Sequence, residues 1–176
     1  MKKIFIINGS ASKNSANKKL IDIIIHLTKD FFICKVHKDL KSLPHFDLDL
    51  SVENTPREIL NFKKAIEVAD GILVCTPEYV FSIPSGLKNA IEWCVSTTLF
   101  SDKPIGIITA SASGEKGHAE LQLIMKTIMA KFTADTTLLI QGVKGKLNEK
   151  GELTDVKTQK DLLQFIHAFR TLVENN

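Results

Sequence analysis

An apolar run from Ile4 to Ile7 gives way to the decapeptide Asn8-Gly9-Ser10-Ala11-Ser12-Lys13-Asn14-Ser15-Ala16-Asn17, and helical periodicity begins at about Lys18. A helix start leaves amides without partners and carries the positive end of the helix dipole, so it favours an anion. Ser10, Ser12 and Ser15 can add hydroxyl donors and Asn17 a side-chain amide. The chemistry this spacing suits is phosphate binding. The plainer alternative is that Ser15 or Asn17 caps the helix while the other polar residues make an ordinary turn. Neither GxxxxGK[ST] nor GxGxxG occurs in this loop, which removes support for nucleoside triphosphate chemistry.

Two further stretches have the composition of site loops. Thr76 to Trp93 reads Thr-Pro-Glu-Tyr-Val-Phe-Ser-Ile-Pro-Ser-Gly-Leu-Lys-Asn-Ala-Ile-Glu-Trp. Pro77 preorganises its start and Pro84 suits the first turn of a following helix. Read without further context, it is a turn entering an amphipathic helix, with Trp93 in the core and Lys88 in solvent. Ser111 to His118 supplies Ser111, Ser113 and Gly114, small residues that permit close backbone approach to a flat ring, or simply a surface loop. His118 reads as a surface histidine at a helix start, and Cys75 as a small buried hydrophobe.

The stretch from Thr76 to Trp93 resembles the TPEYNxSxPxxLKNAxDW segment of NADPH-dependent FMN reductases, a group related to chromate, quinone and azo-dye reductases. The first loop is similar to that family's GSxRxxSxN phosphate site, Leu43 to Asp47 to its LPxFD segment, and Ser111 to Gly114 with Gly117 to its third flavin loop. Gly151 to Thr158 matches a GxxxDxxT-like pattern near the last helix. The resemblance implies FMN as cofactor and NADPH or NADH as donor. Its flavin-binding residues would be Ser10, Ser12, Lys13, Ser15, Ala16, Asn17, Pro77, Glu78, Tyr79, Val80, Phe81, Ser82, Ser111, Ser113 and Gly114. Hydride would pass from nicotinamide to flavin N5 and electrons then to a second acceptor, such as free flavin, a quinone, an azo compound or a metal oxyanion. That is ping-pong chemistry needing no catalytic side chain and no metal. A homodimer or homotetramer is also implied.

Two departures stand out against the family pattern. Ser12 occupies a position where arginine is common, and Val80-Phe81 replaces the usual Asn-Gly. They leave room for a second reading, a flavin-binding electron carrier or redox-sensing protein with little reductase turnover, and for a third in which flavin binding has been lost.

The elements that must position these loops follow from apolar runs. Ile4 to Ile7, Phe31 to Val36, Gly71 to Cys75, Ile105 to Thr109 and Thr137 to Ile140 read as buried parallel strands. Helical spacing links Ile59, Phe62, Ile66 and Ala69, then Leu121, Met125, Ile128 and Phe132, then Leu162, Ile166, Phe169 and Val173. Alternating strands and helices with right-handed crossovers predict a three-layer α/β/α flavodoxin-like fold with sheet order 2-1-3-4-5. Its ligand crevice lies at the strands' carboxyl ends, where the quoted loops converge. Leu40 to Thr55 and Gly142 to Thr154 are expected to be irregular, the latter with a small hairpin from Leu147 to Leu153.

The 176 residues predict one domain spanning 1–176. A formal charge of +3, without a basic stripe, argues against nucleic-acid binding and contrasts with the strongly acidic flavodoxins. No segment reaches membrane-spanning length, the first apolar run is too short for a signal peptide, and the three cysteines have no metal or disulfide spacing. A cytoplasmic protein is the expectation.

Overall fold

The computed structural model describes residues 1–37 and 39–176. Five strands form one parallel sheet: β1 (Lys2–Asn8), β2 (Phe32–Val36), β3 (Gly71–Thr76), β4 (Ile105–Ser111) and β5 (Thr137–Gln141), in the order β2-β1-β3-β4-β5. The fold is the flavodoxin-like one expected. β3 is buried at every position, as a central strand covered on both faces must be.

Helices cover the two faces. α1 (Ala16–Thr28) and α6 (Val156–Glu174) bury Leu20, Ile24, Leu162, Phe165 and Phe169 on one side. α3 (Arg57–Glu67), α4 (Ser85–Glu92) and α5 (Glu115–Thr127) bury Ile59, Phe62, Leu87, Leu121 and Met125 on the other. Between β2 and α3 lies a short helix, α2 (Leu48–Val52), capped by Asp47, where irregular chain was expected. α5 ends sooner than its apolar spacing suggests. Met129 takes a left-handed backbone with φ 60°, so Ile128 and Phe132 pack from the chain beyond the helix. The expected hairpin is present, with Leu147 and Leu153 in an antiparallel bridge.

Two features fix the frame around the crevice. At Gly9 the amide donates to the Cys75 carbonyl at 2.9 Å, and an added Cβ would lie 2.2 Å from Thr76 Oγ1, so only glycine allows β1 and β3 to exit side by side. On the α3/α4/α5 face, Asn89 accepts from the Phe46 amide at 2.7 Å, while Asn89 Nδ2 and Trp93 Nε1 donate to the Pro44 carbonyl at 2.9 and 2.8 Å. Phe46 meets the Trp93 indole edge-on with centroids 5.4 Å apart. The Leu43–Asp47 segment is thus latched to α4 by a buried tryptophan and an asparagine whose polar groups are satisfied.

Candidate functional site

The loop after β1 is shaped by its own short polar side chains. The Ser10 amide donates to Asn8 Oδ1 at 3.0 Å, and Ser10 Oγ in turn accepts from the Ser12 amide at 3.2 Å. Ser15 is the N-cap of α1, its Oγ accepting from the Lys18 amide at 3.1 Å. Capping therefore accounts for Ser15 and no other residue of the loop. Asn17 is nearly inaccessible and sits below the loop, donating to the Ala110 carbonyl at 3.1 Å and accepting from Cys75 Sγ at 3.3 Å. One side chain thereby ties the start of α1 to the ends of β3 and β4. The amides of Asn14, Ser15, Ala16 and Asn17 have no hydrogen-bond partner among the described residues, and the last two open the first turn of α1, where a helix leaves its donors unpaired.

The loop after β3 folds into a two-residue hairpin. Tyr79 and Ser82 exchange both backbone hydrogen bonds, at 2.9 and 3.0 Å, around Val80 with φ 52° and Phe81 with φ 59°. Left-handed backbone at both central positions is the pattern that Asn-Gly adopts readily, and that a β-branched or aromatic residue adopts only under strain. Their side chains stand in solvent, 95% and 74% exposed.

Carboxylates hold this hairpin from both ends. Glu78 Oε1 accepts from the Gly114 amide at 3.1 Å and its Oε2 from the Gly117 amide at 2.8 Å. It satisfies orphan donors at the start of α5 and complements that helix's dipole. Gly114 makes this approach possible with φ 87°, a backbone conformation only glycine holds without strain. From the next turn of α5, Glu120 accepts from the Ile83 amide at 2.8 Å and from Ser82 Oγ at 2.7 Å. Nothing in the sequence reading pointed to Glu120. An acidic residue in the second turn of a helix has no local signature of a contact 37 residues away.

These loops enclose a cavity of about 640 Å³ at the carboxyl ends of the strands. Small-molecule and cofactor sites span roughly 300–1,000 Å³. It is lined by Ser10, Ser12, Ser15, Ala16 and Asn17 of the first loop, Pro77 and Tyr79 of the second, and Ser111 of the third. The remaining candidates lie outside the lining. Lys13 faces a neighbouring recess with Lys18, His37 and Lys41. Glu78 and Ser82 are engaged with α5, Val80 and Phe81 form the exposed tip, and Gly114 caps α5 with Ser113 exposed beside it. Missed by the sequence reading were Asn14, Ala110, Ala112 and the turn Gly142 to Gly145. The turn could have been found: in an all-parallel sheet the segment leaving β5 emerges on the same side as the loops after β1, β3 and β4.

His118 is half-buried where a surface residue was expected, with Nδ1 2.9 Å from Thr109 Oγ1, and burial holds its pKa below the ordinary histidine value. Burial pushes the Cys75 thiol far up, and that of Cys94 up to about 12, so neither supplies a thiolate.

Comparison with known proteins agrees with the fold. The chain is 29% identical over 172 residues to an NAD(P)H:quinone oxidoreductase of Solanum tuberosum, covering 93% of this chain and 89% of that one. It is 27% identical over 177 residues to an NAD(P)H-dependent FMN reductase of Pseudomonas aeruginosa, covering 97% and 95%. Among solved structures, FerB, a flavoenzyme NAD(P)H:(acceptor) oxidoreductase from Paracoccus denitrificans, superposes with a TM-score of 0.80 at 26% identity, covering 99% of this chain and 98% of that one. The family model described as NADPH-dependent FMN reductase matches residues 2–141, and the chain belongs to that family.

Proposed function

We propose that this protein is an FMN-dependent NAD(P)H oxidoreductase that works by alternating reduction and reoxidation of the flavin, in ping-pong order, with a small-molecule acceptor such as a quinone, an azo compound, a metal oxyanion or free flavin. The observation that carries this reading is the single cavity joining an anion-ready helix start to a shelf of Pro77, Tyr79 and Ala110 to Ala112. The residues present fit a flavin mononucleotide: four amides without partners and three serine hydroxyls suit a phosphate, and small residues beside a proline and a tyrosine suit a flat ring. Bound flavin supplies the hydride chemistry itself, accepting from nicotinamide and reducing the acceptor.

The chain's own residues bind, orient and hold still. Ser10, Ser12 and Ser15 with the amides of Asn14 to Asn17 would hold the phosphate, and Asn17 keeps that loop fixed against β3 and β4. Pro77 and Tyr79 would face the ring, and the hairpin that continues from Tyr79 to Ser82 is kept in place by carboxylate ties to α5. The exposed apolar tip at Val80 and Phe81 supports a homo-oligomer in which a second subunit covers it, and sedimentation of a lone monomer at micromolar concentration would count against that.

Anaerobic addition of NADPH to the FMN-loaded protein tests the central reading, with loss of the flavin's visible absorbance expected and its return on adding a quinone. Absence of bleaching by both NADPH and NADH would overturn the catalytic assignment.

A further inference from the structure

Among the described residues that line the cavity, Lys144 is the single charged side chain. We infer that Lys144 is an anion-binding residue of this site, pairing with the flavin phosphate held at the start of α1, an assignment that rests on the flavin reading above. It lies beyond residues 2–141 matched by the family model.

The turn that carries it is fixed at both ends. The Gly142 amide donates to the Ala112 carbonyl at 3.0 Å, and Val143 is buried in the core beneath α1 and α6. Two residues further on, Lys146 is committed to structure: its Nζ donates to Thr158 Oγ1 at 3.0 Å and lies 3.8 Å from Asp155. Lys144, between these anchors, is exposed and has no hydrogen bond or ion pair among the described residues. A Cβ added to Gly142 or Gly145 would meet nothing within 4 Å, so the backbone on either side of Lys144 borders open space.

Charge balance calls for such a residue. A phosphate monoester carries roughly −1.5 to −2 at neutral pH, whereas a helix start offers the equivalent of about +0.5. The neighbouring lysines are placed elsewhere. Lys18 is paired with Asp22 at 2.6 Å, and Lys13 lines the recess on the other side of the loop. An ammonium on a flexible stem, anchored to a rigid turn at the rim, serves a phosphate as a point charge.

The test compares FMN with riboflavin, which lacks the phosphate, by quenching of flavin fluorescence in wild type, Lys144→Ala and Lys144→Arg at low and moderate salt. Lys144→Ala is expected to weaken FMN roughly tenfold, leave riboflavin within about twofold and flatten the salt dependence, while Lys144→Arg retains FMN affinity. Equal weakening of both flavins, or unchanged FMN binding, would overturn the assignment. So would unchanged FMN affinity with a raised KM for NADPH but not NADH, which would give the lysine to the dinucleotide's extra phosphate. Wild type binding neither flavin would instead remove the reading of the site itself.

Discussion

The hairpin Tyr79 to Ser82 and the turn Gly142 to Gly145 flank the same crevice and both use left-handed backbone, but they reach it by opposite means. The turn places glycine at φ 62°, where no Cβ objects, and needs only the Ala112 carbonyl and buried Val143 to hold it. The hairpin places valine and phenylalanine at φ 52° and 59° and relies on Glu78 and Glu120 from outside itself. One is stable by its own sequence, the other by its neighbours. The difference teaches that the conformation of the second site loop is a property of α5 as much as of the loop.

Cutting the outer tie should break the comparison most sharply. Glu120→Ala removes the acceptor from Ser82 Oγ and leaves the amide of buried Ile83 without a partner. A loss of about 2 kcal/mol in urea unfolding is expected, from one charge-assisted bond and one unsatisfied buried donor. Hydrogen exchange should accelerate at Tyr79 and Ser82 and stay unchanged at Gly142 and Gly145. Equal acceleration in both regions would show that they are not held independently.

Relieving the strain tests the same contrast from the other side. Val80→Asn with Phe81→Gly supplies residues that take left-handed backbone easily, and the exposed tip loses no core packing. Removing two strained residues, partly offset by the greater freedom of glycine in the unfolded chain, should raise stability by about 1 kcal/mol in the same assay. In the Glu120→Ala background the pair should recover part of the lost protection at Tyr79 and Ser82. A destabilised double variant would mean that Val80 and Phe81 make contacts in an assembly that outweigh their strain.

The same two regions mark what the sequence could disclose. Strand order and layers were legible because five apolar runs alternate with helical spacing, and parallel topology then admits few arrangements. The loop from Ser10 to Asn17 was legible as a helix start facing the crevice because capping and unpaired first-turn amides are local chemistry. The long motif from Thr76 to Trp93 was legible as a unit but divides in the structure. Pro77 and Tyr79 line the cavity, whereas Asn89 and Trp93 latch Leu43 to Asp47 on the far side of α4. Glu120 was not legible, since it acts across a contact distant in sequence, whereas the Gly142 to Gly145 turn was open to topology alone and not to its own residue types. Glu78 was visible as a residue near the crevice, but its engagement with the start of α5 depends on Gly114 and Gly117, more than thirty residues away.

The smallest expected effect is a pH dependence confined to the hairpin's side. His118 belongs to the first turn of α5, the helix that receives Glu78, and burial lowers its pKa in the folded protein. Because the unfolded chain binds the proton more readily, folding stability is full above the unfolded value near 6.5 and declines as pH falls toward the lowered one. Protonation would also place a positive charge at the positive end of the α5 dipole, beside the amides that Glu78 satisfies. Tm is therefore expected to fall modestly between pH 7.5 and pH 5.5 in wild type, and less in His118→Gln, which keeps a polar side chain beside Thr109 but cannot titrate. Exchange at Tyr79 and Ser82 should quicken over that range after correction for intrinsic rates, while Gly142 and Gly145 hold steady. An acid loss of the same size in His118→Gln would assign the dependence to another group and leave the hairpin's reliance on α5 resting on its carboxylates alone.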